Sequence, residues 1–154
     1  MMNWSRAAGL ALILVTAAGA SACSDAAASE TEMTVYATPT CGCCGAWIEH
    51  MRENGFAVEV VYRDDLSSIR AEHKLPRELT SCHLGVVDGF AVEGHVPAQV
   101  VRRLLKERPE VLGIAAPGMP AGSPGMELPD GSRTSYEVFS YDETGPVGVF
   151  EFVN

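Results

Sequence analysis

Met33-Thr34-Val35-Tyr36-Ala37-Thr38-Pro39-Thr40-Cys41-Gly42-Cys43-Cys44-Gly45-Ala46-Trp47-Ile48-Glu49-His50-Met51-Arg52-Glu53-Asn54-Gly55 decides the fold of this chain. Met33 to Thr38 alternates β-branched and aromatic residues and halts at Pro39, as a strand running into a loop does. From Cys44 the residues are helix formers with apolar side chains at Trp47, Ile48 and Met51, and Gly55 stands where a left-handed helix cap is expected. Three cysteines therefore sit at a strand-to-helix junction.

Phe56 to Tyr62 reads as a second strand, apolar enough to be a parallel strand buried on both faces. Asp64-Asp65 precede a short helix from about Leu66 to Lys74. His83 to Val87 and Phe90 to Glu93 flank the tight turn Asp88-Gly89 and predict a hairpin. Pro97 opens an amphipathic helix whose buried stripe is Val100, Val101, Leu104 and Leu105, and Pro109 ends it. Beyond Leu112 come a Gly/Pro/Met loop from Ala116 to Met126 and a second hairpin, Ser135 to Tyr141 with Val147 to Val153. The order predicts an α/β, thioredoxin-like fold: a central mixed sheet flanked by helices, the first helix starting at the cysteines, extended at its C-terminal end by the loop and hairpin.

The chain of 154 residues begins with Arg6 followed by a small-and-apolar run from Ala7 to Ala20. That run is shorter than the roughly 20 residues a spanning helix needs and fits an export signal. Residues 1–22 are read as the signal. Ala20-Ser21-Ala22 suits ordinary cleavage, whereas Cys23 after small residues suits a lipoprotein whose cysteine is acylated and tethers the domain to a membrane. Residues 23–32 are polar and small, a flexible tether. Residues 33–154, about 120 in number, suffice for one core. Expected localisation is outside the cytoplasm, with Cys23 as the lipid anchor in the second cleavage mode. Loss of Arg6 with the leader takes the formal charge from −9 to −10, which argues against nucleic acid as a partner.

Outside the cytoplasm, paired thiols normally form disulfides, so two bridges among Cys41, Cys43, Cys44 and Cys82 is the plain reading. The spacing resists it: Cys43 and Cys44 are adjacent, and a Cys41–Cys43 ring is very small. Cys41 and Cys44 have the two-residue separation of a redox dithiol, and a helix amino end lowers thiol pKa values. The same thiolates are better metal ligands. Three sulfurs in four residues meet at one point if Gly42 lets the backbone turn. Soft thiolates select copper(I), zinc or iron–sulfur, and crowded, bridging thiolates suit copper(I) better than zinc, which prefers paired C-x₂-C units.

Cys82 falls in the loop before the hairpin, where a thioredoxin-like chain carries its cis-proline, and would supply a fourth sulfur. His83 should point to the opposite face of a strand from Cys82. His95, just ahead of the last helix, is a candidate ligand or ligand support; His50 and His73 lie on helices and read as surface residues. Met119 and Met126 are either loop packing or, if the loop folds over the cysteines, soft thioether ligands.

Thr38-Pro-Thr-Cys-Gly-Cys-Cys-Gly-Ala-Trp47, Ser81-Cys-His83, Val92-Glu-Gly-His-Val-Pro97 and Pro117-Gly-Met-Pro with Gly122-Ser-Pro-Gly-Met126 together resemble the CopG-like copper-resistance proteins, also catalogued as domain of unknown function 411. The resemblance spans Met33 to Asn154. It implies a thioredoxin-like periplasmic protein whose Cys41, Cys43, Cys44 and Cys82 match the family's thiols, with copper ions as cargo and periplasmic copper-handling proteins as partners. It leaves open whether copper is stored, passed on or changed in oxidation state. The expected function is copper(I) binding by the Cys-x-Cys-Cys motif plus the distal cysteine, as a multinuclear cluster if sulfurs bridge. The alternative is an oxidoreductase using Cys41 and Cys44.

Overall fold

Eleven short segments of regular structure account for the chain in the computed structural model, which describes Met1 and residues 30–154. Apart from Met1, the expected export signal and most of the expected tether, with Cys23, lie outside the described residues. The order is β1 (Thr31–Ala37), α1 (Gly42–Glu53), β2 (Phe56–Tyr62), α2 (Ser67–Glu72), a 3₁₀ turn (Arg77–Leu79), β3 (Leu84–Val87), β4 (Phe90–Gly94), α3 (Ala98–Glu107), β5 (Gly113–Ala116), β6 (Tyr136–Asp142) and β7 (Gly145–Val153). β1 starts two residues ahead of Met33. Among the described residues no helix is long and apolar enough to cross a membrane.

All seven strands join one mixed sheet in the order β2-β1-β3-β4-β5-β6-β7. β1 runs parallel to β2 and antiparallel to β3; β4 runs antiparallel to β3 and parallel to β5. Several expectations need correction. β2 is an edge strand, and only Phe56 at its start is buried. Its valines reflect one half-covered face. β5 was unforeseen: Gly113-Ile-Ala-Ala116 is four residues long, alanine-rich and without alternation, because it lies between β4 and β6 with both faces buried. It carries the tail hairpin into the same sheet.

Alternation on the central strands divides the core. Val92 and Ile114 face Trp47, Ile48, Met51, Val101 and Leu104 of α1 and α3. Their neighbours Ala91 and Ala115 face Leu79, Leu84 and Tyr141, beneath Ile69 of α2. His50 is half-buried rather than a surface residue, and its Nε2 accepts the N–H of Ala98 at 3.1 Å, capping α3 from α1. Arg103 of α3 pairs with Glu151 of β7 at 2.6 Å, joining the last strand to that helix.

Strand directions place four segments at one end of the sheet. The carboxyl ends of β1, β4 and β5 and the amino end of β3 all point there, so Cys41, His95, the 117–126 loop and Cys82 converge.

The pairing of β4 with β5 depends on Gly113. A Cβ there would lie 2.2 Å from the carbonyl oxygen of Ala91, whereas one on Gly148 would meet nothing within 4 Å. Gly113→Ala should cost roughly 3 kcal/mol, and Gly148→Ala far less. Equal denaturation midpoints for the two variants would show that the close approach of β4 and β5 is misread.

Candidate metal centre

Cys41 is the N-cap of α1, extended at φ −82° and ψ 92°, and Gly42 is the first helical residue. Cys43 and Cys44 thus occupy the second and third helical positions. Cys41 and Cys44 lie on one side of the first turn with Cα atoms 5.4 Å apart, and their sulfurs are joined as a disulfide. This is the one pairing that the two-residue separation favours; Cys43 and Cys82 are free thiols. Cys43 Sγ lies 3.6 Å from Cys41 Sγ. The Sγ atoms of Cys41, Cys43, Cys44 and Cys82 all fall within 4.8 Å of one another.

Cys82 also belongs to a second group. Its Sγ is 3.2 Å from Nδ1 of His83 and 3.1 Å from Nε2 of His95, and the three ligand atoms fit within the same 4.8 Å. His83 is the residue that strand alternation misplaced. β3 begins only at Leu84, so Ser81, Cys82 and His83 form a bend to which the two-residue alternation does not apply. Both imidazoles are fully buried.

Proton positions follow from the partners. His95 Nδ1 is 2.8 Å from the carbonyl oxygen of Pro124, which can only accept, so Nδ1 carries the proton and Nε2 presents a lone pair to Cys82. The single Cys82 S–H proton is donated to that lone pair, and His83 Nδ1–H then donates to the sulfur. His83 Nε2 is left buried without a partner. The ring of His83 lies 4.3 Å from that of Trp47, centre to centre.

Burial sets the charge states. His83 is held neutral, its pKa lowered to about 3 by desolvation and then by His95. His95 is lowered by burial against small opposing effects of Pro124 and Glu127. Desolvation, and then the neighbouring Cys43, push the Cys82 thiol up to about 12. A metal binding here displaces a proton from Cys82 and none from either histidine.

The 117–126 loop closes over the start of α1. A Cβ on Gly125, whose φ is +83°, would lie 2.7 Å from the Trp47 nitrogen and 2.8 Å from the Cys43 carbonyl oxygen, so the backbone approaches as only glycine permits. Ser123 is buried and its hydroxyl donates to the Pro120 carbonyl at 2.6 Å. Met119 is half exposed at φ +88°, and Met126 is half-buried with its N–H bound to the Ser123 carbonyl. The loop is therefore brought to the site, with Pro124 and Gly125 as its nearest contacts.

With the Cys41–Cys44 bond intact, alkylation of Cys82 should be slow at neutral pH and rise about tenfold per pH unit from about pH 7 to about pH 10. A plateau near 8.5, the value of an ordinary thiol, would contradict the buried, protonated state.

Residues 79–126 match the model of a protein family of unknown function, DUF411. None of the curated proteins matches the chain. Two solved structures do. "Copper resistance protein copG", form 1, is 40% identical over 80% of this chain and 97% of its own, with a TM-score of 0.74. Form 2 is 40% identical over 80% and 98%, with a TM-score of 0.75.

Proposed function

Because the chain belongs to the CopG-like family of copper-resistance proteins, we propose that it binds copper(I) in the periplasm through Cys41, Cys43, Cys44 and Cys82. The single observation that carries this reading is the gathering of those four sulfurs within 4.8 Å. Thiolates are soft ligands, and sulfurs this close can each bridge two ions, which supports a multinuclear cluster. Zinc is the weaker fit, because the three clustered cysteines are not arranged as paired C-x₂-C units. His95 joins the set through its Nε2 lone pair. Met119 and Met126, on the loop that packs over the start of α1, are read as a second, weaker thioether docking point for copper. The β1-α1-β2 and β3-β4-α3 segments are taken as a thioredoxin-like core, and the leader with Cys23 supports export with a lipid tether.

Each residue has a defined task. The start of α1 gathers the cysteines, Cys41 as its N-cap and Cys43 and Cys44 in its first turn. Gly42 has no positive φ and an added Cβ would meet nothing within 4 Å, so the turn expected of glycine is supplied by the helix itself. The amino end of α1 stabilises thiolates there. Gly125 packs on the start of α1, and the Pro124 carbonyl orients His95. The Cys41–Cys44 bond removes two of the four thiolates, so full occupancy requires the reduced chain.

Anaerobic titration of the reduced protein with copper(I) against a strong chelator, with sulfur neighbours counted by X-ray absorption, tests the proposal. A sulfur-rich environment is expected, with affinity at least about tenfold lower in Cys43→Ser and Cys82→Ser. Disulfide-oxidised protein should bind more weakly than reduced protein. Failure of the reduced protein to compete with the chelator would overturn the assignment.

The Cys41–Cys44 bond favours a second reading, an oxidoreductase acting on thiols or on copper. A measured dithiol potential together with turnover in a copper-reduction or disulfide-reduction assay would establish it, and no turnover with all thiols intact would remove it.

A further inference from the structure

The bend Ser81-Cys82-His83 carries one sulfur and one imidazole of the site, yet no strand ladder holds Cys82. Its neighbours are held instead. The N–H of Gly94 donates to the His83 carbonyl at 3.0 Å. Both peptide polar groups of Ser81 are taken by a charged pair. The Ser81 N–H donates to Glu93 Oε1 at 2.6 Å, and Arg70 Nη2 donates to the Ser81 carbonyl at 2.9 Å. The two side chains also bind each other, Arg70 Nη2 to Glu93 Oε1 at 2.8 Å and Nε to Oε2 at 3.3 Å.

We propose that the Arg70–Glu93 pair is the positioning device for Cys82, fixing the peptide planes on either side of Ser81 so that the sulfur faces Cys43 and His95. Glu93 lies on β4 and is fully buried, while Arg70 reaches in from α2 with 18% of its side chain exposed. Burying two charges is a poor way to add stability, since desolvation offsets most of their attraction. An attachment of α2 to the sheet would need only apolar contact, which Ile69 already makes. What the charged pair adds is direction: a planar guanidinium bridges a carboxylate and a peptide carbonyl at the same time, which an ammonium cannot do in the same geometry.

The packing around Ser81 leaves little other choice. A Cβ on Gly94, at φ +75°, would lie 2.8 Å from Ser81 Cβ and 2.5 Å from the Ala116 carbonyl oxygen. Gly94 backbone therefore forms one wall of the Ser81 seat, and the charged pair supplies the hydrogen bonds. Glu93 and His95 flank Gly94, so one turn of chain carries both the clamp for Cys82 and the imidazole that Cys82 meets.

The proposal rests on the copper-binding reading for its consequence and on thiol geometry alone for its existence, so two measurements separate them. Arg70→Lys keeps the positive charge beside Glu93 and removes the bridging fork. With the Cys41–Cys44 bond intact, peptide-mapped alkylation should show the rate ratio of Cys82 to Cys43 rising severalfold while the unfolding midpoint stays close to that of the parent. In reduced protein, copper(I) affinity should fall about 10-fold to 100-fold, as for residues that orient ligands. General loosening would expose both thiols together and leave the ratio unchanged, and that result overturns the proposal. A raised ratio with copper(I) affinity unchanged also overturns it as a positioning role for metal. A raised ratio in a protein whose parent binds no copper(I) defeats the copper reading and leaves the clamp standing. If Arg70→Lys does not fold, the neutral double variant Arg70→Gln with Glu93→Gln is read by the same two quantities.

Discussion

Trp47 is the contact on which the rest of the site is built. Its ring is fully buried, and its Nε1–H donates to the Val96 carbonyl at 2.8 Å, tying α1 to the connection between β4 and α3. One face of the ring meets His83, and its edge passes β3 at Gly85, where an added Cβ would lie 3.4 Å away. Its backbone nitrogen lies beneath Gly125 of the closing loop. An indole has few rotatable bonds and a large apolar area, so it fixes position at low entropic cost. Because it follows Cys44 by three residues, less than a turn, locking Trp47 locks the orientation of the helix start and its sulfurs.

From that anchor the site becomes a junction of four segments, none adjacent in sequence to all the others. The sheet directions bring them to one end, and the polar links between them run in a line: His83 to Cys82, Cys82 to His95, His95 to the carbonyl of Pro124. The first link lies within the Ser81–His83 bend, and the other two join it to the end of β4 and to the loop after β5. The hydrogen-bonded line spans the gap between β3, β4 and the loop after β5, so the closing loop and the ligand-bearing bend are read by one another. Such networks are strengthened by the low dielectric around them and are sensitive to any missing partner. The unpartnered Nε2 of His83 is the one atom in this line left unsatisfied.

Much of this was legible from residue order. The strand stopping at Pro39, the cysteines at a helix start, the Asp88-Gly89 hairpin and the amphipathic helix after Pro97 each carry a local physical signal, and each element formed within a few residues of its expected place. Cys82 and His95 are also expected near the first three cysteines, Cys82 from its place in the loop where a thioredoxin-like chain carries its cis-proline and His95 from the end of the hairpin. His83 was missed because alternation was applied to a residue outside the strand. β5 was missed because a doubly buried parallel strand of small residues has neither period nor bulk. The pair of Arg70 and Glu93 carried no local signal at all: each looks like a surface charge until the sheet brings them together. Seen afterwards, the only hint was an acidic residue in the otherwise apolar Phe90-Ala91-Val92 strand.

The proton held on Nδ1 of His95 by the Pro124 carbonyl has a consequence in electroneutrality. Thiols enter a metal site by giving up a proton and acquiring a negative charge, while an imidazole with its lone pair already turned inward enters uncharged. A monovalent ion shared between the Cys82 thiolate and His95 sums to zero, whereas one shared between two thiolates leaves a negative charge to be kept out of water. Next to the buried carboxylate of Glu93, already matched by Arg70, the neutral sum is the one with the smaller desolvation penalty. A single peptide carbonyl in a glycine-rich loop thereby helps decide how much charge the buried half of the site must carry.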